Sequence, residues 1–266
     1  MVVPEEVSNA AGDGEIGPVI AWLDEGNSVN DADEEGYTLL MSISVDLDSR
    51  DKLELARELI RRGADVNLRP RHDQPESWLM VMQDANNEGN HVDLLRNFVL
   101  LLLEGGLALE NTRSEDDFAP LVMAVEGLSS CPTPALLNII SDLLRFGSPI
   151  DAIVFFPDAK PIEFLAARFE QMKEMNPPLA QNEHWVNCKK LFAAVRAAGT
   201  TWIAYRREQR KRVLRMRSLM VRGRALPRRT RGSDPVVAPI FRLPNELCWH
   251  VLQFWRATCD ATGEVI

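Results

Sequence analysis

The chain has 266 residues, of which 45% are hydrophobic and 26% charged, a composition typical of a globular protein with a continuous core. Its four cysteines lie far apart and form no Cys-x-x-Cys pair, which argues against a zinc ribbon and a disulfide scaffold. The start of the chain lacks the pattern of a signal peptide, and the longest apolar run, residues 98–103, is far shorter than the roughly 18 residues of a membrane span. We therefore expect a cytoplasmic protein without a membrane partner, and we leave the nucleus open.

The net charge of −9 hides a local reversal of sign. Residues 1–205 hold 16 basic and 34 acidic residues, whereas residues 206–231 hold 12 basic residues and one acidic residue. This reversal indicates either that the basic segment has its own role or that it docks on the acidic part of the chain.

A helical pattern that ends near Leu-Leu-x-x-Gly recurs along the first 200 residues. The clearest copy opens at residues 33–41 and closes at residues 55–67. A partial copy precedes it, two further copies follow, and a fifth is degenerate; they span residues 9–30, 77–106, 118–151 and 161–199. A repeat of this size predicts a stacked array, and the function of such an array is normally binding.

The clearest copy resembles the ankyrin repeat. The matching residues are Asp33, Gly36, Thr38 and Leu40 at its opening and Leu59, Gly63, Ala64, Asp65 and Asn67 at its close. Leu39 and Met41 replace the proline and the histidine of the family pattern. The resemblance covers residues 8–200 and implies an all-α fold, an ankyrin-repeat α-solenoid of about five repeats. The copies are longer than the usual 33 residues or so, and the excess falls in polar or Pro-containing stretches at residues 46–51, 86–90 and 129–134.

The glycine after each second helix has a structural explanation. Gly63 and Gly147 stand where a helix end needs a left-handed residue, which glycine adopts without steric cost. We therefore expect both glycines to support the fold and not to contact a partner.

The resemblance also implies a contact surface, because the residues that flank the hairpin turn are the variable contact positions of the ankyrin family. The predicted partner-binding residues are Asp33, Glu34, Glu35, Tyr37, Arg69, Arg71, His72, Trp78, Asp116 and Phe118. Aromatic residues and arginines carry most interface energy, so Tyr37, Trp78 and Phe118 stand out. For Trp78, which replaces a buried proline of the family, a place in the core remains open.

Residues 201–226 predict a basic helix in which arginines alternate with apolar residues. Three interpretations remain open: a solvated helix whose arginine stems cover apolar surface, a nuclear import signal, and a nucleic-acid patch. The last has the least support, because no aromatic residue beyond Trp202 and Tyr205 offers a stacking surface.

Residues 240–258 predict a small C-terminal helical box. Its Leu-Pro-x-Glu-Leu opening resembles the first helix of an F-box, and its position resembles that of a SOCS box. Both resemblances imply a ubiquitin-ligase adaptor with docking residues Leu219, Leu243, Pro244, Leu247, Val251 and Trp255. The SOCS-box pattern wants a cysteine where Gly223 stands and a second proline near Glu246. The alternative is that the box caps the array of a scaffold or regulatory binding module.

Catalytic and metal-binding motifs are absent from the sequence, which contains no Gly-x-Ser-x-Gly, phosphate-binding glycine loop or His-Glu-x-x-His. His184 and Cys188 lie one helical turn apart, but no further ligands lie near them in the sequence. The sequence therefore predicts a non-enzymatic, cofactor-free protein that recognises a protein target.

Overall fold

The computed structural model describes residues 2–44, 47–68, 92–109, 120–150, 170–171 and 174–222. Within these residues the fold is all-helical, which confirms the predicted class, and one isolated antiparallel bridge joins Ala32 to Thr38. The chain divides into two compact units, Met1–Lys189 and Lys190–Ile266. The helices are α1 (Glu5–Asp13), α2 (Ile16–Asp24), α3 (Leu39–Ser44), α4 (Arg50–Arg61), α5 (Val92–Glu104), α6 (Pro120–Ser130), α7 (Pro134–Phe146), a 3₁₀ turn (Pro177–Gln181), α8 (Glu183–Ala198) and α9 (Trp202–Val221).

The helices of the first unit pack as pairs and from pair to pair. Helix α1 packs on α2 and α3, and α3 packs on α4. Helices α4, α5 and α7 continue the packing, with α5 between the other two, and α6 packs on α7. Leu59, Leu102 and Leu143 occupy the same place on α4, α5 and α7, and all three are fully buried. Burying a leucine side chain contributes about 1.5–3 kcal/mol, so this shared position is a main source of stability.

The ends of these three helices share one backbone geometry. Gly63 has a φ of 92° and Gly147 a φ of 106°, which confirms the predicted left-handed residues. The N–H of Gly147 donates to Leu144 O at 3.2 Å, and the N–H of Ser148 donates to Leu143 O at 2.9 Å. The same two bonds form at Gly63, and Gly106 has a φ of 90° after α5. The second helices α4, α5 and α7 therefore end in the same turn, as expected of a repeat.

Helix α4 begins earlier, and helix α6 ends later, than the sequence predicts. Helix α4 begins at Arg50, inside the expected loop of residues 46–51, because the Ser49 hydroxyl accepts a hydrogen bond from Lys52 N at 3.3 Å. Helix α6 extends to Ser130, and Thr133 caps α7 in the same way through Leu136 N. The predicted loop of residues 129–134 therefore shrinks to residues 131–133.

The predicted basic helix is present in the second unit. Helix α9 covers Trp202–Val221 of the predicted residues 201–226. Residues 223–226 and the predicted C-terminal box, residues 240–258, lie outside the described residues.

One buried carboxylate links the second helices of the third and fourth copies. Asp142 on α7 is 1% exposed, and its Oδ2 accepts a hydrogen bond from Nε of Arg96 on α5 at 2.9 Å. Its Oδ1 is buried without a hydrogen-bond partner in the structure. Removing Arg96 would leave this carboxylate uncompensated, so the pair fixes which residues face each other between α5 and α7.

A surface network links the ends of α2 and α4. The Nε of Arg62 donates to Glu58 Oε1 at 2.8 Å, and its guanidinium also reaches Asp24 Oδ1 at 2.6 Å. Arg61 donates two further hydrogen bonds to the Glu58 carboxylate, at 2.6 and 2.7 Å. Hydrogen bonds from Arg61 and then Arg62 lower the pKa of Glu58 to about 2.

The network predicts a pH dependence of stability. Because the pKa of Glu58 is lower in the folded chain than its ordinary value of 4.5, folding favours the charged carboxylate. The stabilisation is complete above about pH 4.5 and is lost as the pH falls towards about 2. We expect Glu58→Gln to flatten the fall of the urea midpoint across this window. The control Glu54→Gln lies on the same helix and leaves the network intact, so it should retain the parental slope. An unchanged slope in Glu58→Gln would contradict this role.

Candidate recognition surface

The first described turn between helix pairs is a small hairpin with a fixed backbone. Beside the Ala32–Thr38 bridge, the N–H of Asp33 donates to Tyr37 O at 2.9 Å. The N–H of Gly36 donates to Asp33 O at 3.1 Å, and Gly36 has a φ of 93°. This confirms a hairpin at the opening of the clearest copy, where the sequence places partner-binding residues.

Asp33 holds this hairpin together. Its Oδ1 accepts hydrogen bonds from the N–H groups of Glu35 and Tyr37, at 3.1 and 2.8 Å. Its Oδ2 accepts one from the hydroxyl of Ser8 on α1 at 2.9 Å. Because both oxygens already bind the chain, Asp33 stabilises the turn and ties it to the preceding helix pair. A contact of Asp33 with a partner stays a prediction.

The hairpin presents acidic and aromatic side chains. Glu34 and Glu35 are exposed, and Tyr37 is half-buried. Neither glutamate takes part in an ion pair within the part of the chain that the structure describes. The hairpin therefore carries two solvated carboxylates at its tip and a half-buried tyrosine at its base.

The entry to α3 is apolar where the family pattern has proline and histidine. Leu39 and Met41 are both buried. The Thr38 hydroxyl accepts a hydrogen bond from Met41 N at 3.4 Å and so caps the helix. The two replacements thus keep the hairpin on the packed helix pair without the side chains of the family pattern.

Two asparagines connect successive copies in the same way. The Nδ2 of Asn30 donates to Gly63 O at 3.2 Å, and its Oδ1 accepts from Asp65 N at 2.8 Å. The Nδ2 of Asn67 donates to Gly106 O at 3.0 Å, and its Oδ1 accepts from Ala108 N at 2.7 Å. Each asparagine therefore binds the residues at equivalent places after the next left-handed glycine, and the spacing between copies is set by main-chain atoms.

Close packing accompanies the second bridge. A Cβ added at Gly105 would lie 3.0 Å from Val66 Cγ1 and 3.4 Å from Ile60 Cγ2. A side chain at Gly105 would therefore press against the preceding copy, whereas Gly106 has open space for a Cβ but a φ of 90°. The sequence shows Asn30 and Asn67 at matching places, but the bridges themselves were not predicted.

The remaining predicted contact residues fall outside the described part of the chain. This applies to six predicted partner-binding residues: Arg69, Arg71, His72, Trp78, Asp116 and Phe118. It also applies to five predicted ligase-docking residues: Leu243, Pro244, Leu247, Val251 and Trp255. The sixth docking residue, Leu219, lies near the end of α9 and is exposed.

The described residues carry neither a metal site nor a membrane-spanning helix. They contain no group of three or more histidine, cysteine, aspartate or glutamate side chains that could hold a metal ion. Cys188 is buried in α8, and His184 one turn earlier is half-buried. No helix in the described ranges is long and apolar enough to cross a membrane.

Comparison with known proteins does not place the chain. No protein-family model matches the sequence, and no curated protein matches it either. The case for a repeat array therefore depends on the recurring geometry of the chain itself.

The asparagine bridges predict a measurable loss of stability. Asn67→Ala removes two hydrogen bonds to the next copy, each worth about 0.5–1.5 kcal/mol, so we expect a loss of about 1–3 kcal/mol in the free energy of unfolding. Asn9→Ala is the matched control, because Asn9 is an exposed asparagine of α1 with no side-chain hydrogen bond in the structure. Urea titration of both variants measures the difference. Equal stabilities of the two variants would show that the bridges do not contribute to the free energy of unfolding.

Proposed function

We propose that the chain is a protein-recognition module in which stacked ankyrin-like helix pairs hold a series of turns as one contact surface. The observation that carries the proposal is the repeated asparagine bridge. Asn30 and Asn67 each bind the chain just after the next left-handed glycine. Such bridges space successive copies regularly, and a regular row of turns is how repeat proteins build extended binding surfaces.

The chemistry of the one described tip indicates the kind of partner. Glu34 and Glu35 are exposed and project from a hairpin whose backbone is already fixed by Asp33. Binding then needs little ordering of this turn, which lowers the entropic cost of association. Charged groups at the rim steer an oppositely charged partner, and a tyrosine at the base of the hairpin supplies apolar contact area. We infer that this tip binds a basic surface of the target protein.

A second function, that of ubiquitin-ligase adaptor, is proposed for the C-terminal part of the chain. One observation favours it: Leu219, one of the predicted docking residues, is exposed on α9 together with Met216, so apolar surface is left uncovered on this helix. The competing explanation is a scaffold or regulatory module whose C-terminal box completes the core of the array.

The recognition proposal is tested by comparing the proteins captured by three forms of the chain. We expect at least one protein to bind both the parent and the control Glu5→Gln/Glu6→Gln. The control changes two exposed residues of α1 and leaves the hairpin tip as it is. We expect Glu34→Gln/Glu35→Gln/Tyr37→Ala to recover that protein at least about tenfold less, since a central aromatic contact is worth about 2 kcal/mol. An unchanged urea midpoint would show that the fold is intact. Identical capture by all three forms would contradict the contact surface.

The ligase proposal is tested with purified elongin, Skp-type and cullin subunits. We expect the full chain to capture one of these subunits and Leu243→Ala/Pro244→Ala to lose this binding. We expect Leu219→Ser to bind the subunit more weakly, because the exposed side chain no longer offers an apolar contact. Tyr37→Ala serves as the control, since it should leave ligase capture unchanged. Failure of the full chain to capture any of these subunits would favour the scaffold explanation.

A further inference from the structure

Helix α9 carries an exposed row of basic side chains. Arg207, Lys211 and Arg215 follow one another at four-residue intervals and are all exposed, and Arg222 is exposed just beyond the helix. A helix rises 1.5 Å per residue, so successive members of the row lie about 6 Å apart along the axis. Residues four apart share one helix face, so this row forms a continuous positive ridge.

Two of the three side chains of the basic row, Arg207 and Arg215, form no ion pair among the described residues. Glu208 is the one acidic residue in α9, and it pairs with Lys211. The hydrogen bond from Lys211, together with the nearby charges of Arg215 and Arg212, lowers the pKa of Glu208, which remains ionised. In the described part of the chain, no ion pair involves Arg207, Arg212 or Arg215. These three guanidinium groups are therefore available to an external anionic group.

Exposed apolar side chains flank the ridge. Ile203 is 73% exposed, Met216 48% and Leu219 40%. At about 100° per residue, Ile203 lies on one side of the basic row, and Met216 and Leu219 lie on the other. A solvated basic helix has no need of such apolar flanks, and arginine and methionine are enriched at protein interfaces. The arrangement is suited to a partner that offers both carboxylates and aliphatic side chains.

Two other anionic partners fit this face less well. The aromatic residues of α9, Trp202 and Tyr205, are buried with ring centroids 5.2 Å apart, so they offer no surface on which bases could stack. Helices that lie on a membrane gather their apolar residues on one side, whereas here the basic row separates Ile203 from Leu219.

We propose that the exposed face of α9 binds an acidic, amphipathic helical segment of a partner protein. A row at four-residue spacing is the type of ridge that interdigitates with the same kind of row on a second helix, the commonest packing class. Glutamates at four-residue intervals on the partner would meet the basic row, and leucines beside them would cover Ile203, Met216 and Leu219. This surface is separate from the acidic hairpin tip, whose proposed target is basic.

The test uses a labelled synthetic helical peptide of about 20 residues, with glutamates at four-residue intervals flanked by leucines. Its binding to the full chain is followed by fluorescence anisotropy at about 150 mM salt, where nonspecific attraction is screened. We expect Arg207→Gln/Arg215→Gln to weaken binding about three- to tenfold, because each exposed pair contributes modestly. We expect Leu219→Ser to weaken it separately. Glutamine retains helix propensity, so α9 should remain folded, which circular dichroism verifies.

Arg50→Gln/Arg145→Gln is the matched control, because it removes two exposed arginines of α4 and α7 and leaves both α9 and the Glu58 network unchanged. We expect it to bind the peptide as the parent does, and Tyr37→Ala to do the same, which separates this surface from the recognition tip. The proposal is overturned if the peptide does not bind, if the control weakens binding equally, or if a peptide with glutamine in place of glutamate binds as well. Tighter binding to a single-stranded oligonucleotide of about 20 nucleotides or to phosphatidylserine vesicles would also overturn it, in favour of a nucleic acid or a membrane.

Discussion

Within the described residues of the first unit, the helix pairs bury their apolar surfaces against one another, and the rest of the unit depends on this constraint. Leu59, Leu102 and Leu143 are fully buried on α4, α5 and α7, which pack in succession. At about 1.5–3 kcal/mol for each buried leucine, packing outweighs any single polar contact between the copies. Hydrogen bonds and capping glycines therefore contribute less to the free energy of unfolding than the buried leucines do. Their main effect is to determine which residues of neighbouring copies face each other.

Polar groups determine which residues of one copy face which residues of the next. The Asn30 bridge closes over 35 residues to Asp65, and the Asn67 bridge closes over 41 residues to Ala108. The local geometry is the same although the second interval is longer. The chain therefore absorbs its extra residues elsewhere in the copy, while the turn that connects one copy to the next is kept. Arg96 and Asp142 add a second, buried restraint between α5 and α7.

Local patterns allowed the helical class and the helix ends to be predicted. A glycine after a leucine-rich run indicated the left-handed turns at Gly63 and Gly147, because few other residues adopt a positive φ without strain. Helix beginnings were predicted less well, since the caps at Ser49 and Thr133 depend on short-range geometry that polar composition alone does not reveal. The pairing of Arg96 with Asp142 lies 46 positions apart in the sequence and leaves no local signal.

The predicted contact surface could likewise be predicted where it depends on local pattern, but not where it depends on tertiary packing. Spacing and resemblance placed Asp33 at a hairpin, but not its two roles in the turn, because the bond from Ser8 depends on how α1 lies against the next copy. The exposure of Glu34 and Glu35 followed from their place at a tip. The basic row on the exposed face of α9 was not predicted. Alternating arginines and apolar residues in the sequence do not show which face of the helix other helices cover.

The asparagine bridges also affect how freely this protein can diversify. Asn67 binds the carbonyl of Gly106 and the amide of Ala108, groups that every residue except proline supplies in full. Substitutions of the side chain at position 108 by any residue except proline therefore leave the bridge chemically intact. The connection between these copies is made to main-chain atoms, whereas the exposed side chains of the hairpin tip take no part in it. The tip side chains can therefore change in charge and size while the bridge between the copies stays the same.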